Sequence, residues 1–192
     1  MKESRLATIS LYSVFSLLMD DLVVDLARNL DAAFPRLVEH MSPRLYWGLR
    51  RMTGDGHQAE DLSQEAFIRT YRALSGYPPQ RIRELRLEPW VWTIALNLGR
   101  NHLRDRSQRP TLVEETTEPG DLDTEPPDTT AWQRRLDALP GPQREAVVLR
   151  HVVGFGIPEI ADITGRPEGT CKADIHRGLK KLREIMESED ET

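Results

Sequence analysis

Two clusters of side chains stand out for the chemistry they allow. Between Trp90 and Arg106 the chain interleaves Trp90, Trp92, Asn97, Arg100, Asn101, His102, Arg104 and Arg106. Aromatic faces beside amides and cations suit single-stranded or melted DNA, because an unstacked base presents its π-face. Residues two apart point away from each other on a helix, so Trp90 and Trp92 cannot share a face. One belongs to a core and the other lies at or near the surface. The second cluster runs from Gly165 to Arg183. It holds Arg166, Lys172, Arg177, Lys180, Lys181 and Arg183 against only Glu168 and Asp174. That excess suits contact with phosphates, although a charge run is also what any solvated helix face carries.

Catalytic patterns are missing. The five histidines (His40, His57, His102, His151 and His176) show no two-histidine ligand spacing, and no glycine-rich phosphate loop or nucleophile motif occurs. The lone Cys171 rules out a disulfide framework or a cysteine-rich zinc site. It pairs poorly with His176, five residues on, and reads as a packing or groove-facing residue. No catalytic residue, metal or cofactor is expected, and the chain reads as a binding protein rather than an enzyme.

The elements that position the basic cluster are legible. Leu139-Pro140 and Gln143-Arg144 open a helix carrying Val147, Val148 and Leu149. Gly154 to Ala161 leads into a second helix with Pro158 in its first turn. Gly165 ends it, since glycine tolerates the left-handed conformation of a sharp helix exit. A third helix starts at Gly169-Thr170 with Ile175, Leu179 and Leu182 on one face. Two short helices, a glycine turn and the small Ala161 near the crossing make a helix-turn-helix. Its second helix can enter a major groove with its N-terminal residues near base edges. Gly156 stands where a serine cap is usual, which weakens that helix start by a few tenths of a kcal/mol.

The aromatic cluster belongs to a second helical unit. Asp31 to Met52 places Phe34, Leu37, Val38, Met41, Leu45, Tyr46 and Leu49 at three- and four-residue steps. Ala59 to Leu74 repeats the pattern. A third helix runs from Pro89 through Arg104, after a loop at Gly76-Tyr77-Pro78-Pro79. No segment alternates long enough for a strand.

Between the two units, residues 110–131 carry seven acids, no base and four prolines. They read as an acidic flexible linker. The net charge of −5 over 192 residues therefore hides a remainder of +2 outside the linker. The expected plan is all-α. It comprises an extension over 1–29, disordered or partner-bound, and a bundle over 30–109. The linker 110–131, a helix-turn-helix module over 132–187 and an acidic tail over 188–192 follow. Lys2, Arg5 and the apolar stretch from Leu6 to Met19 mimic a signal peptide, but no small-residue cleavage site follows. Export is not expected, Met19 is an alternative start, and no run reaches the roughly 18 apolar residues a membrane helix needs. A cytoplasmic protein is expected.

Three motifs carry a family resemblance. Ala59-Glu60-Asp61-Leu62-Ser63-Gln64-Glu65-Ala66-Phe67 resembles region 2 of the extracytoplasmic-function (ECF, group IV) sigma factors of bacterial RNA polymerase. Trp90-Val91-Trp92-Thr93-Ile94-Ala95-Leu96-Asn97 is similar to their tryptophan-to-asparagine motif in the same domain. Gly154 through Thr170, and Lys172 to Arg177, resemble their region 4.

The resemblance implies a promoter-specificity subunit that binds core RNA polymerase through its beta and beta-prime subunits and directs promoter recognition, melting and transcription initiation. It carries core-polymerase binding onto Asp61, Gln64 and Glu65. The minus-ten element falls to Trp90, Trp92, Asn97, Arg100, Asn101 and Arg104. The minus-thirty-five element falls to Arg166, Thr170, Lys172, Asp174, Arg177 and Lys181. Promoter DNA and an anti-sigma factor are further implied partners. Leu96 and Asn101 depart from the family's frequent arginine and aspartate; Cys171, Ala173 and Asp174 depart from valine, serine and arginine. An acid at 174 near DNA would accept from cytosine at the expense of phosphate affinity. A helix-turn-helix regulator independent of polymerase would explain 132–187 but neither motif of the first unit.

Overall fold

The computed structural model describes residues 11–108 and 129–190, with no strand among them. The first unit holds α1 (Leu11–Arg28), α2 (Leu30–Thr53), α3 (Gly56–Ser75), α4 (Pro79–Arg83) and α5 (Leu87–Gln108). The second holds α6 (Thr129–Asp137), α7 (Gly141–Val148), a π-helical turn (Leu149–Val153), α8 (Ile157–Thr164) and α9 (Glu168–Asp190). The linker expectation lies almost wholly outside the described residues; at its end, residues 129–131 already belong to α6.

Helix α2 starts where Asn29 Oδ1 accepts from Ala32 N at 3.2 Å, and α3 where Asp55 Oδ1 accepts from Gln58 N at 3.1 Å. Each cap satisfies an N–H that the helix leaves without a carbonyl. Pro35 and Pro43 lie inside α2, where proline removes a hydrogen bond and is strongly disfavoured. Both are exposed, off the stripe of Leu37, Met41, Leu45, Leu49 and Met52. Each such buried side chain contributes roughly 1.5–3 kcal/mol, enough together to hold the helix through both prolines. The stripe meets Ala59, Leu62, Ala66, Phe67 and Leu74 of α3 and Val91, Trp92, Ala95 and Leu96 of α5.

Three expectations are corrected here. Residues 11–28 are no separate extension: α1 buries Met19, Leu22, Val23, Leu26 and Ala27, and it packs on α2, α4 and α5. Met19, the last residue of the apolar stretch that mimics a leader, is thus part of the bundle core. The Pro78-Pro79 loop also turns directly into α4, with Pro79 in its first turn, where a missing N–H costs nothing. At the other end, α9 continues to Asp190, so part of the expected tail is helical.

In the second unit Ala146, Val147, Val148, Leu149, Val153, Phe155, Ile160, Ile163, Cys171, Ile175 and Leu182 form the core. The π-helical turn closes when Gly154 N and Phe155 N both donate to Leu149 O, at 3.0 and 2.9 Å. That swing carries Phe155 inward. Gly178 lets α9 lie close on α7, since a Cβ there would stand 2.7 Å from Val147 Cγ2.

The units also pack on each other. Trp92 of α5 meets Phe155 edge-to-face at 6.0 Å between centroids, and both are fully buried. Arg44 donates to Val153 O at 2.6 Å, and Arg144 donates to Met52 O at 3.0 Å.

Candidate nucleic-acid interface

The turn between α8 and α9 is made by Gly165 at φ +68°, in the left-handed region expected of it. Gly156 offers no capping side chain to α8. Glu159 answers instead, its Oε2 accepting from Gly156 N at 2.8 Å, which supplies the return half of a capping box. Along α9, Cys171, Ile175, Gly178 and Leu182 point inward. The outer side carries two exposed rows. Lys172, His176 and Lys180 form one at four-residue steps, and Thr170, Arg177 and Lys181 form the other.

Helix α5 presents a different surface. Trp90, Asn97, Asn101 and Arg104 fall at spacings of seven, four and three residues, which is one stripe of a 3.6-residue helix. Asn97, Asn101 and Arg104 are exposed and Trp90 is half-buried, its ring tilted against Tyr77 at 5.9 Å. A shallow pocket beside the stripe is lined by Arg86, Pro89, Trp90, Thr93 and Asp162, among others. On α3, Asp61 and Gln64 are exposed and Glu65 is half-buried. Leu62, Ser63, Ala66 and Phe67 fill the opposite side. Glu65 Oε1 accepts from Arg69 Nε at 2.7 Å.

Three expected DNA contacts are corrected. Trp92 is the core member of its pair: nothing of its ring is exposed, so it offers no stacking face. Asp174 is only 5% exposed, because its carboxylate faces α7 and the turn rather than outward. It accepts from Arg166 Nη1 at 2.6 Å and from Arg177 Nη2 at 2.7 Å. Arg166 is likewise engaged inside the module, donating to Glu145 Oε2 at 3.2 Å and to Pro142 O at 3.2 Å. Together these groups tie α9 to α7. Cys171 is resolved as a packing residue, buried with its Sγ 3.6 Å from Thr164 Oγ1.

Sequence reading missed the carboxylates that complete this arrangement. Glu145 of α7 accepts from Arg100 through both oxygens, Nε to Oε1 at 2.8 Å and Nη2 to Oε2 at 2.7 Å. That hydrogen-bonded pair raises the Arg100 guanidinium further above its usual range. Glu88, in the first turn of α5, is buried against Arg44. Burial pushes its carboxyl up to about 7; the Arg44 charge pulls the other way without cancelling that, and Glu159 adds to the rise. Neither glutamate belongs to a motif, and no local pattern marks them. Among the described residues no cluster of histidine, cysteine and carboxylate side chains fits a metal ion, and no helix is long and apolar enough to cross a membrane.

A pair of helical modules, one ending in a helix-turn-helix with a basic outer face, has the architecture of a DNA-binding protein. Comparison with known proteins narrows that class. Residues 37–109 match the family described as Sigma-70 region 2, and residues 129–182 match Sigma-70, region 4. The RNA polymerase sigma factor CarQ of Myxococcus xanthus is 35% identical over 159 residues, covering 80% of this chain and 89% of the relative. The ECF RNA polymerase sigma factor SigW of Bacillus subtilis is 28% identical over 170 residues, covering 80% and 89%.

Among solved structures, CnrH in complex with the cytosolic domain of CnrY superposes with a TM-score of 0.66 at 20% identity. The match covers 88% of this chain and 97% of that one. RpoE in complex with the anti-sigma factor NepR from Bartonella quintana gives 0.63 at 22% identity, covering 80% and 96%. The chain belongs to the ECF RNA polymerase sigma factors, which direct promoter-specific transcription initiation.

Proposed function

We propose that the first module holds core polymerase and the melted minus-ten strand, while the second reads the minus-thirty-five element as duplex. Asp61, Gln64 and Glu65 on α3 contact the beta and beta-prime subunits of the polymerase. Trp90, Asn97, Asn101 and Arg104, flanked by Arg100, take the unstacked bases of the minus-ten element. Thr170, Lys172 and Arg177 lie on the recognition helix with Thr170 nearest its start. Lys172 or Arg177 reaches a guanine edge, and Lys181, farther along, holds a phosphate. Trp92, Arg166 and Asp174 take no direct DNA contact in this reading; they hold the helices that do.

The observation that carries the reading is the contrast between the two outer faces. An aromatic-amide stripe on α5 suits unstacked bases, and rows of cations on α9 suit duplex phosphate. Polymerase performs the chemistry, so the chain itself is no enzyme and works in the cytoplasm, where polymerase and chromosome are. An anti-sigma factor is a further proposed partner, supported by the complex of RpoE with NepR. The acidic linker supports a path along a basic polymerase channel.

Run-off transcription with core polymerase across a promoter library tests the reading. Asp61→Ala with Gln64→Ala should weaken core binding at unchanged helical content, because both side chains are exposed. Undiminished affinity for core would remove α3 from the docking surface.

A further inference from the structure

Among the described residues, Asp174 is the one carboxylate of α9 that the fold buries. Its two oxygens have separate partners. Oδ2 accepts from Arg166 Nη1 at 2.6 Å, and Oδ1 accepts from Arg177 Nη2 at 2.7 Å. Arg166 is itself fastened to Pro142 O and Glu145, so the carboxylate is held from its inner side. Arg177 is the exposed member, with 57% of its side chain open to solvent against 7% of Asp174. An ordinary surface pair three residues apart holds two mobile side chains and contributes little. Here the interior fixes one end of the pair, and only the other end faces outward.

The direction of the pair matters as much. Side chains on a helix lean toward its N-terminus, and Arg177 reaches back one turn to Asp174. Its guanidinium therefore lies toward the start of α9, the end that meets base edges in a major groove. Asp174 takes one N–H of Nη2. The other, with its neighbour on Nε or Nη1, still presents a pair of parallel donors. Such a pair on the O6 and N7 of guanine is the commonest specific contact in that groove. Tying one corner of a rigid plane fixes its aim and removes rotamer freedom before DNA arrives. Lys172 has no such anchor. Its ammonium stands 3.9 Å from Glu168 Oε2, and both side chains are more than half exposed. A flexible point charge suits a phosphate better than a base edge.

We propose that Asp174 is a positioning residue for sequence readout: from within the module it aims Arg177 at a guanine edge, and Lys172 falls to phosphate. The inference rests on the assignment of α9 to the minus-thirty-five duplex, and it decides between the two cations which that assignment leaves open. Position 174 departs from the frequent arginine of the family, and an arginine there could not accept from Arg177.

Binding-site selection on a randomised duplex library, with the full-length chain on core polymerase at matched ionic strength, tests it. Wild type should select an element containing a guanine. Arg177→Ala should lower the preference for that guanine over other bases about ten- to hundredfold, and Lys172→Ala should leave it in place. Asp174→Asn should lower the same preference about three- to tenfold, while affinity for other duplexes holds or rises because a negative charge is gone. In the Arg177→Ala background, Asp174→Asn should change the preference no further. A purely structural carboxylate would lower the melting temperature and leave the ratio of affinities unmoved.

A folded Asp174→Asn with wild-type discrimination overturns the proposal, as does a loss that persists without Arg177 or a guanine that depends on Lys172. Should Asp174→Asn fail to fold, relaxation of the Arg177 Nε–Hε bond in the wild-type chain decides. An order parameter above about 0.6 is expected of an aimed guanidinium, and a lower value overturns the aiming. A wild-type chain that binds core and selects no minus-thirty-five element removes the reading of α9 and the inference with it. A selected guanine indifferent to Asp174 removes the inference alone.

Discussion

Helix α5 turns Trp90, Asn97, Asn101 and Arg104 outward, whereas α9 turns out Lys172, His176, Arg177, Lys180 and Lys181. The first face has one cation among groups that stack or pair with base edges. The second is mostly cations, with Thr170 near the helix start. A melted strand exposes base faces and is held by stacking, while a duplex hides them and presents phosphates and groove edges. Burial differs as well. On α5 the opposite side is the bundle core and the module interface, so Trp92 sits against Phe155. On α9 the flank holds a charge cluster in which Asp174 joins Arg166 to Arg177. Residue type alone does not assign a side chain to DNA: each helix carries expected contacts that its fold engages for itself.

The largest effect should come from Asp174→Arg. On an exposed groove-facing position it would tighten DNA binding. Buried between Arg166 and Arg177 it places three guanidiniums together and removes the carboxylate those two share, at roughly 3–5 kcal/mol. Thermal melting should show loss of the second module before any change in sequence preference can be read. A stable variant with a shifted minus-thirty-five preference would return Asp174 to the groove.

Comparable in size is the tryptophan pair. Trp92→Ala should cost about 3–5 kcal/mol of stability through the cavity it leaves. Trp90→Ala should leave the melting curve nearly in place and weaken single-strand binding by about 1–3 kcal/mol. Equal effects on stability would erase the division of α5 into a core side and a binding side.

Glu88 makes the start of α5 sensitive to pH. Its carboxyl titrates near 7 when folded and near 4.5 when free, so the folded state holds the extra proton between those values. Stability contributed by this group therefore falls as pH rises from about 4.5 to about 7 and is level above, by at most about 3 kcal/mol. Denaturant titrations at pH 5 and pH 8 should show that fall in wild type and a smaller one in Glu88→Gln. An identical pH response in the two proteins would show that Glu88 stays charged against Arg44.

The smallest effects belong to the cation rows of α9. Losing a base contact at Lys172 or Arg177 should cost about 1–3 kcal/mol and relax preference at one position. Lys181→Ala should weaken all sequences alike and lower the salt slope by about one. Binding-site selection at matched ionic strength checks both. If Lys181→Ala changed the selected motif, the lysine would be reading bases.

Local pattern determined much of this protein. The three- and four-residue steps from Leu37 to Leu49 mark α2, and the left-handed turn at Gly165 was legible as a glycine at a helix exit. So was the division of Trp90 from Trp92 between two faces, because helical periodicity is a property of neighbouring residues. The same locality left residues 1–29 as an extension, since no spacing says that Leu22, Val23 and Leu26 are covered by the rest of the bundle. Tertiary packing alone decided which tryptophan is inside, that Asp174 and Arg166 are paired within their module, and that Glu145 receives Arg100 from 45 residues away. Burial and ion pairing depend on groups brought together from distant parts of the chain, and no spacing in the sequence records that meeting.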